Sequence, residues 1–500
     1  MPRRRTGPAV TGAPSQGQSL VDFLNSKVGR NIGCLSLACL LTACAVGPDY
    51  RAPDVPVPDA WHSQPQAGVK PDSAETPVLA SWWTVLNDPT LNQLIDQALA
   101  NNLTLRQAKA SVVEARARRA ITGASFWPWL DASAGGSRSD SDINGKQETW
   151  DGGVDASWEI DLFGGQRRAF ESSTAQLAAA DAELRDVLVS LLGEVALAYV
   201  DVRTSQSRLS YAERNLESQR EVVDITTWRG EAGLATVLDV EQAKSSYSTT
   251  LAALPSLESA LEAGKNRLAV LTGQTPGSLE QQLGERKPIP VAPVDVVSSV
   301  PADVMRRRPD IRAAERRLAA QTAQVGVATA ELYPRLSLGG SIGVTAGSAG
   351  DLFSDNVQSN RYGVSLSMPI FRAGAIRQNI KATNAQVDQA LAVYEATVLA
   401  AYEEVENSLT QWVNEQRRHA ALIDSAGSAR LASELALMQY NSGLVDFQTV
   451  LTADRQLISA EDALAVSDGE MTSNLIRLYK ALGGGWSVFP PAATASNELP

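Results

Sequence analysis

Apolar residues at Leu188, Val195, Val202, Leu209, Leu216 and Val223 recur every seven positions, with Leu184, Leu191, Ala198 and Ala212 between them at steps of four and three. That is the seam of a coiled coil, a narrow apolar stripe buried against another helix. The pattern holds from about Arg167 to Arg229, roughly 60 residues, and a helix of that size reaches on the order of 90 Å at 1.5 Å per residue. No ordinary globule encloses such a helix, so the chain must fold as an extended structure whose seams find neighbours. The pattern ends near Gly233, and a second helix marked by Val237, Val240, Leu251 and Leu254 returns antiparallel. Pro255 is expected to kink or break it.

The long helix occurs twice. Arg106 and Pro128 recur as Arg312 and Pro334, both 206 positions later (312 − 106). Phe126-Trp127-Pro128-Trp129-Leu130 matches Leu332-Tyr333-Pro334-Arg335-Leu336 in kind. Beyond these the offset settles at 210, pairing Ala175-Gln176 with Ala385-Gln386, Glu194 with Glu404, Gly233-Leu234 with Gly443-Leu444 and Arg267-Leu268 with Arg477-Leu478. Self-similarity at a fixed spacing marks two copies of one unit. Each copy opens on a helix: Asp88-Pro89 before Leu91, Leu94, Ile95, Ala98 and Leu99, and Pro309-Asp310 before Ile311, Ala314 and Leu318. Both helices stop at their proline, Pro128 or Pro334.

The period then changes to two. Val154, Ala156, Trp158, Ile160 and Leu162 alternate with Asp155, Ser157, Glu159 and Asp161. In the second copy Leu336, Leu338, Ile342 and Val344 alternate, and after a loop Tyr362, Val364, Leu366, Met368 and Ile370 do the same. Strands of about ten residues with unlike faces fit a membrane barrel, and any one of them taken alone equally fits a hairpin on a soluble core. Four strands per chain cannot close a barrel, and an open edge cannot face lipid with its backbone unpaired. Several chains must therefore pool their strands, and a ring of antiparallel helix pairs would continue the barrel as a tube. A lumen of this kind conducts by diffusion. Asp155, Glu159 and Asp161 alternate with the lipid-facing set, so they either point into the lumen, where they favour cations, or mark a strand edge at the membrane interface.

All three cysteines, Cys34, Cys39 and Cys44, fall in one window that is apolar from Ile32 to Ala43 and preceded by Lys27 and Arg30. About a dozen apolar residues behind a charged flank read as a signal sequence and are too short to span a bilayer as a helix. Leu41-Thr42-Ala43-Cys44 resembles a bacterial lipobox, which makes Cys44 the acylated first residue of the mature chain; the other reading is a signal with a different cleavage site. Several acyl chains on one residue suffice for stable anchoring, and Ala45 in place of Asp after the cysteine resembles an outer-membrane sorting pattern.

A formal charge of −12 and a pI near 4.9 exclude a nucleic-acid partner, which needs a basic face. His62 and His419, the two histidines, lie too far apart in sequence to suggest a metal site or a histidine-based triad. Paired carboxylates such as Glu403-Glu404 read as solvated helix charges. No nucleophile, base or cofactor constellation stands out, so the expectation is a protein that is not an enzyme and carries no cofactor.

Cys44 to Tyr50 (CAVGPDY) followed by Trp61, then Ser157-Trp158-Glu159-Ile160-Asp161-Leu162-Phe163-Gly164, Arg307-Arg308-Pro309-Asp310-Ile311, Pro369-Ile370-Phe371 and Lys480-Ala481-Leu482-Gly483-Gly484-Gly485-Trp486 resemble the NodT branch of TolC-like outer-membrane factors, over essentially the whole mature chain. The resemblance implies an α+β membrane protein, mostly long helices forming a helical barrel, whose four transmembrane strands join those of two further copies in a trimeric twelve-stranded barrel. It divides the chain into a signal sequence with an amino-terminal extension (1–43), a lipidated segment (44–87), two efflux repeats (88–290 and 301–485) and a tail (486–500). It implies a homotrimer lipid-anchored in the outer membrane, with a large periplasmic portion that meets a periplasmic adaptor and an inner-membrane pump of the resistance-nodulation-division class.

In relatives the tube narrows at the periplasmic turns between paired helices, which map to Gly233 through Asp239 and Gly443 through Thr449. Gly233, Asp239, Gly443 and Asp446 then belong to an anionic gate, and Gln448 and Thr452 stand where many relatives carry a leucine and an aspartate. The equally available reading is that glycine and aspartate here serve only as helix caps. Three functions follow in order: a passive duct for small toxic compounds, an exit duct for type I protein secretion, and a coiled-coil lipoprotein that tethers the envelope. Lipidation and the NodT-type motifs favour the first, and the two-faced strands argue against the last.

Overall fold

The computed structural model describes residues 45–55, 61, 80–143, 145–291, 308–354 and 358–486. After a 3-10 turn at Trp82–Leu86 come α1 (Pro89–Asn101), α2 (Leu103–Ala124), β1 (Trp129–Ser141), β2 (Gly145–Ile160), α3 (Gly165–Glu231), α4 (Val237–Leu271) and the single turn α5 (Glu280–Leu283). The second half runs α6 (Pro309–Ala330), β3 (Arg335–Ala346), β4 (Gln358–Ser367), α7 (Ala375–Asn441) and α8 (Phe447–Ala481). Corresponding helices agree in length: α2 and α6 have 22 residues each, α3 and α7 have 67, and α4 and α8 have 35. Among the described residues no helix is long and apolar enough to cross a membrane.

The chain forms two compact units, each drawing on both halves. One holds Gly123–Phe170, Ala323–Lys381 and the chain up to Asp49; the other holds Tyr50–Thr122, Glu171–Thr322 and everything from Ala382. The first contains one antiparallel sheet in the order β1-β2-β3-β4.

The core of the second unit gathers Leu91, Leu94 and Ile95 of α1 with Leu188, Leu192 and Tyr199 of α3, Leu268 of α4 and Leu475 of α8, all essentially inaccessible to solvent. Trp82 stacks on Tyr479 with ring centres 5.6 Å apart. Arg203 is fully buried here and its Nε and one terminal nitrogen find acceptors: it donates to the Tyr199 hydroxyl (3.0 Å), the Gln206 side chain (2.7 Å) and the Glu285 carbonyl (2.8 Å). Tyr199 donates in turn to Asp88 at 2.6 Å, and burial pushes the Tyr199 hydroxyl up to about 12.

Several expectations need correction. The opening helix of the first half is broken at Asn102, whose side chain accepts from Leu105 N–H (2.9 Å) and donates to the Leu271 carbonyl (2.8 Å). With the 206-residue offset Pro309 falls on Leu103, so α6 corresponds to α2 and not to the helix begun by Pro89. Pro255 does not interrupt α4; it and Leu251 four residues earlier are exposed, so the carbonyl that loses its partner faces water. Strand β2 begins nine residues before Val154 (154 − 145) and ends before Leu162, and β4 ends at Ser367, ahead of Pro369, which has no N–H to give the ladder. The heptad seam also changes character along α3. Leu188, Val195, Val202 and Leu209 are buried, but beyond them Asn215, Gln219 and Thr226 are buried while Leu216 and Val223 are only partly so.

Candidate functional site

Register places each sheet residue on a defined face, because directly paired residues share a face. One face carries Leu130, Ala132 and Ala134 of β1, and Ile160, Trp158, Ala156, Val154 and Trp150 of β2. It continues through Leu336, Leu338, Ile342 and Val344 of β3 to Leu366, Val364 and Tyr362 of β4. None of these has a core to cover it: Leu130 is 74% exposed, Tyr362 78%, Val364 71% and Leu366 66%. Just past β4, Ile370 and Phe371 are also exposed. On β2 the apolar set spans Trp150 to Ile160, which at about 3.4 Å per residue is roughly 34 Å of strand, and on a strand tilted as in a barrel roughly 25 Å of height. That is the height of a lipid-facing band. Past Trp150 the same face turns charged, with Arg138 and Glu148 paired across the strands at 3.1 Å. At the other end aromatic rings gather, as at a membrane interface: Phe163 stacks on Tyr333 at 4.7 Å and the Trp158 indole donates to the Phe126 carbonyl at 2.9 Å. Gly136 has its own purpose, since a Cβ there would lie 2.8 Å from the Trp150 ring.

The opposite face is polar apart from Trp129, which pairs with Ser157 at the start of β1. Asp131 pairs with Asp155, Asp155 with Ser341 and Ser341 with Arg361 in one row across all four strands. Glu159 sits on this face opposite Ser337. Asp161 lies just beyond β2, and its carboxylate accepts from the Arg167 N–H (2.9 Å) and guanidinium (3.3 Å) at the start of α3. Of the three acids singled out from sequence, Asp155 and Glu159 therefore share the polar sheet face and Asp161 is held at a helix start. Asp131, the cross-strand neighbour of Asp155, escaped sequence reasoning because β1 is built largely from small residues.

Next to the sheet, the amino-terminal segment is held tightly. Val46 N–H donates to the Phe163 carbonyl at 3.0 Å. Arg168 donates to the carbonyls of Val46 (3.2 Å) and Gly47 (3.4 Å) and to Asp49 (2.6 Å). Gly47, at φ +93°, packs so closely that a Cβ on it would lie 2.4 Å from Gly326 Cα. The lipidation residue expected from sequence, Cys44, lies outside the described residues.

In the second unit the α3–α4 and α7–α8 turns share one geometry. Gly233 (φ 70°) and Gly443 (φ 74°) end their helices in the left-handed region. Leu234 N–H reaches the Arg229 carbonyl (2.7 Å) and Leu444 N–H that of Gln439 (2.9 Å), satisfying carbonyls that a helix end leaves free. The returning helices are capped reciprocally. Thr236 caps α4 and Asp239 reaches back to it in a capping box, whereas Asp446 caps α8 and accepts from Thr449 N–H (3.0 Å) and hydroxyl (2.8 Å). The Thr449 hydroxyl, then its N–H, hold the Asp446 carboxyl below its ordinary range. Gln448 and Thr452 follow one turn apart on the exposed side of α8, the Thr452 hydroxyl donating to the Gln448 carbonyl at 2.8 Å. The two turns are joined through Tyr440, Phe447, Val450 and Leu451, packed with Ala243. Exposed Leu234, Val237, Leu238 and Leu444 surround the turns.

The sequence model for outer membrane efflux proteins matches this chain twice, over residues 94–274 and 300–484. The chain belongs to the outer membrane efflux protein family. Nodulation protein T of Rhizobium leguminosarum bv. trifolii is 32% identical over 449 residues, covering 88% of this chain and 94% of that one. The solvent efflux pump outer membrane protein SrpC of Pseudomonas putida is 31% identical over 453 residues, covering 88% and 95%. Among solved structures the outer-membrane channel OprN superposes with a TM-score of 0.80 at 38% identity, covering 89% of this chain and all of that one. The family member described here is an outer-membrane efflux channel with a TolC-like fold. Among the described residues no group of three candidate ligands is placed to hold a metal ion; His419 pairs instead with Asp468 at 2.7 Å.

Proposed function

We propose that three copies of this chain pool their sheets into a twelve-stranded barrel whose apolar face meets the outer membrane and whose polar face lines a passive lumen. The carrying observation is the four-stranded sheet with one largely apolar face, one largely polar face and, among the described residues, no hydrophobic core packed on either. A sheet of that kind has open edges at β1 and β4, and in lipid those edges require partners. On this reading the long helices continue the conduit into the periplasm, no bond is made or broken, and the chain is the exit component of a tripartite pump. Its partners are a periplasmic adaptor and an inner-membrane pump of the resistance-nodulation-division class, and its cargo is small toxic compounds.

The same reading makes Cys44 the lipid attachment point, with 44–87 the lipidated segment, 88–290 and 301–485 the two repeats, and 486–500 a tail. The turns at Gly233, Asp239, Gly443, Asp446, Gln448 and Thr452 form the periplasmic gate, and Asp155 and Glu159 line the barrel. The fixing of Val46 and Gly47 beside the sheet supports an anchor at its lower rim. The decisive experiment is single-channel recording of the purified protein in planar bilayers, with the oligomeric state measured in the same detergent. Conducting trimers support the duct; a folded monomer without conductance rejects it.

A further inference from the structure

Where the first turns of α6 meet α3, the two helices and the ring of Trp486 enclose a cavity of about 350 Å³. Small residues at Ala178, Ala182 and Pro309 leave the space, and charge lines it. On α3, Arg185 pairs with Asp181 at 3.1 Å while its guanidinium lies 5.4 Å from the centre of the Trp486 ring. On α6, Arg316 pairs with Glu315 and lies 5.8 Å from the ring of Tyr50, whose hydroxyl donates to Glu315 at 3.1 Å. The third arginine, Arg312, has no side-chain partner among the described residues. Two carboxylates thus face three guanidinium groups, an uncompensated positive site in a chain of net charge −12.

The geometry points to a binding site for a small organic anion bearing a phosphate or carboxylate group. Arg312 and Arg316, four residues apart, project from one face of α6, and Arg185 approaches from α3. A planar guanidinium fork matches phosphate and carboxylate oxygens in pairs, and the start of α6 adds the positive end of its dipole. The Trp486 indole supplies a flat apolar wall for the carbon skeleton. The volume, near the lower limit for small-molecule sites, suits a molecule of monosaccharide size. The site requires neither a trimer nor conduction.

Glucose 6-phosphate and inorganic phosphate are the probes, titrated calorimetrically into the purified full chain in phosphatidylcholine nanodiscs. One saturable site per chain is expected, weakened about tenfold or more by Arg312→Gln, the loss of a charge-assisted contact. Asp181→Asn, which frees Arg185, should tighten binding. Arg317→Gln, next in sequence but paired with Glu183 at 2.6 Å outside the cavity, should leave binding unchanged. Thermal melts confirm that each variant is folded. Repeating the titration in discs containing phosphatidylglycerol identifies the source: blocked glucose 6-phosphate binding assigns the cavity to a lipid headgroup, and retained binding to a soluble anion. No saturable binding in phosphatidylcholine discs, or equal weakening by Arg317→Gln, overturns the proposal.

Discussion

The guanidinium of Arg229 lies 4.5 Å from the centre of the Tyr440 ring and donates to the Asn441 carbonyl at 3.1 Å, so the end of α3 is fastened to the end of α7. If the turns form the gate, this fastening opposes its opening. A cation–π contact of this kind contributes about 1 to 2 kcal/mol, enough to change an open-to-closed ratio about tenfold. Arg229→Ala should raise open probability in bilayer recordings by that order. Tyr440→Phe keeps the ring and removes a buried hydroxyl without a partner, so it should leave gating unchanged and not lower stability. Equal effects from the two variants would refute the assignment.

Asp454 gives a pH dependence of definite sign. Burial raises its carboxyl above the ordinary range, with the hydrogen bond from Gln219 opposing and Glu461 reinforcing the shift. The folded state therefore holds a proton that the unfolded state releases, and stability falls as pH rises from the unfolded value through the folded one. Asp454→Asn keeps an acceptor for Gln219 and should flatten this part of the profile and raise the melting temperature at neutral pH. A lower melting temperature would show that the charge is needed.

The row Asp131, Asp155, Ser341 and Arg361 predicts ion selectivity. With the polar face lining the lumen, the double variant Asp131→Asn, Asp155→Asn should reduce cation preference, read as a smaller reversal potential in a salt gradient. Because Asp161 is committed to Arg167, Asp161→Asn should change selectivity less and loosen the start of α3. An unaltered reversal potential in the double variant would place the acids outside the ion path.

Gly47 predicts a local release. Alanine there meets both an unfavourable φ and the Gly326 backbone, so Gly47→Ala should free the segment and expose the bond after Arg51 to trypsin several-fold faster, with little change in the global melt. Unchanged digestion would mean that the contact yields without cost.

Sequence reasoning recovered what is written in local periods. The seven-residue repeat located α3 to within two residues at each end (167 − 165 and 231 − 229), and alternation located β3, most of β4 and the stretch of β2 from Val154 onward. It failed where burial depends on distant partners. Asn215 and Gln219 look like surface residues until Glu461 and Asp454 arrive from α8 to meet them at 3.1 and 2.9 Å. The same is true of Arg308, buried against Asp310, Glu404 and the Ala481 carbonyl. Strand β1 stayed hidden because Ala132, Ala134 and Gly136 on its apolar face give almost no alternation signal. At the turns, glycine and aspartate were legible as cap or gate, and the structure shows the capping bonds.

The matched lengths of the helices, 67 with 67 and 35 with 35, make the two halves a pair of rulers cut to one measure. Deleting a single residue from one long helix turns everything beyond it by about 100° and draws it back about 1.5 Å. Its twin, left uncut, would then present Tyr440 where Arg229 no longer reaches. Changes of length in this chain can therefore persist only in duplicate.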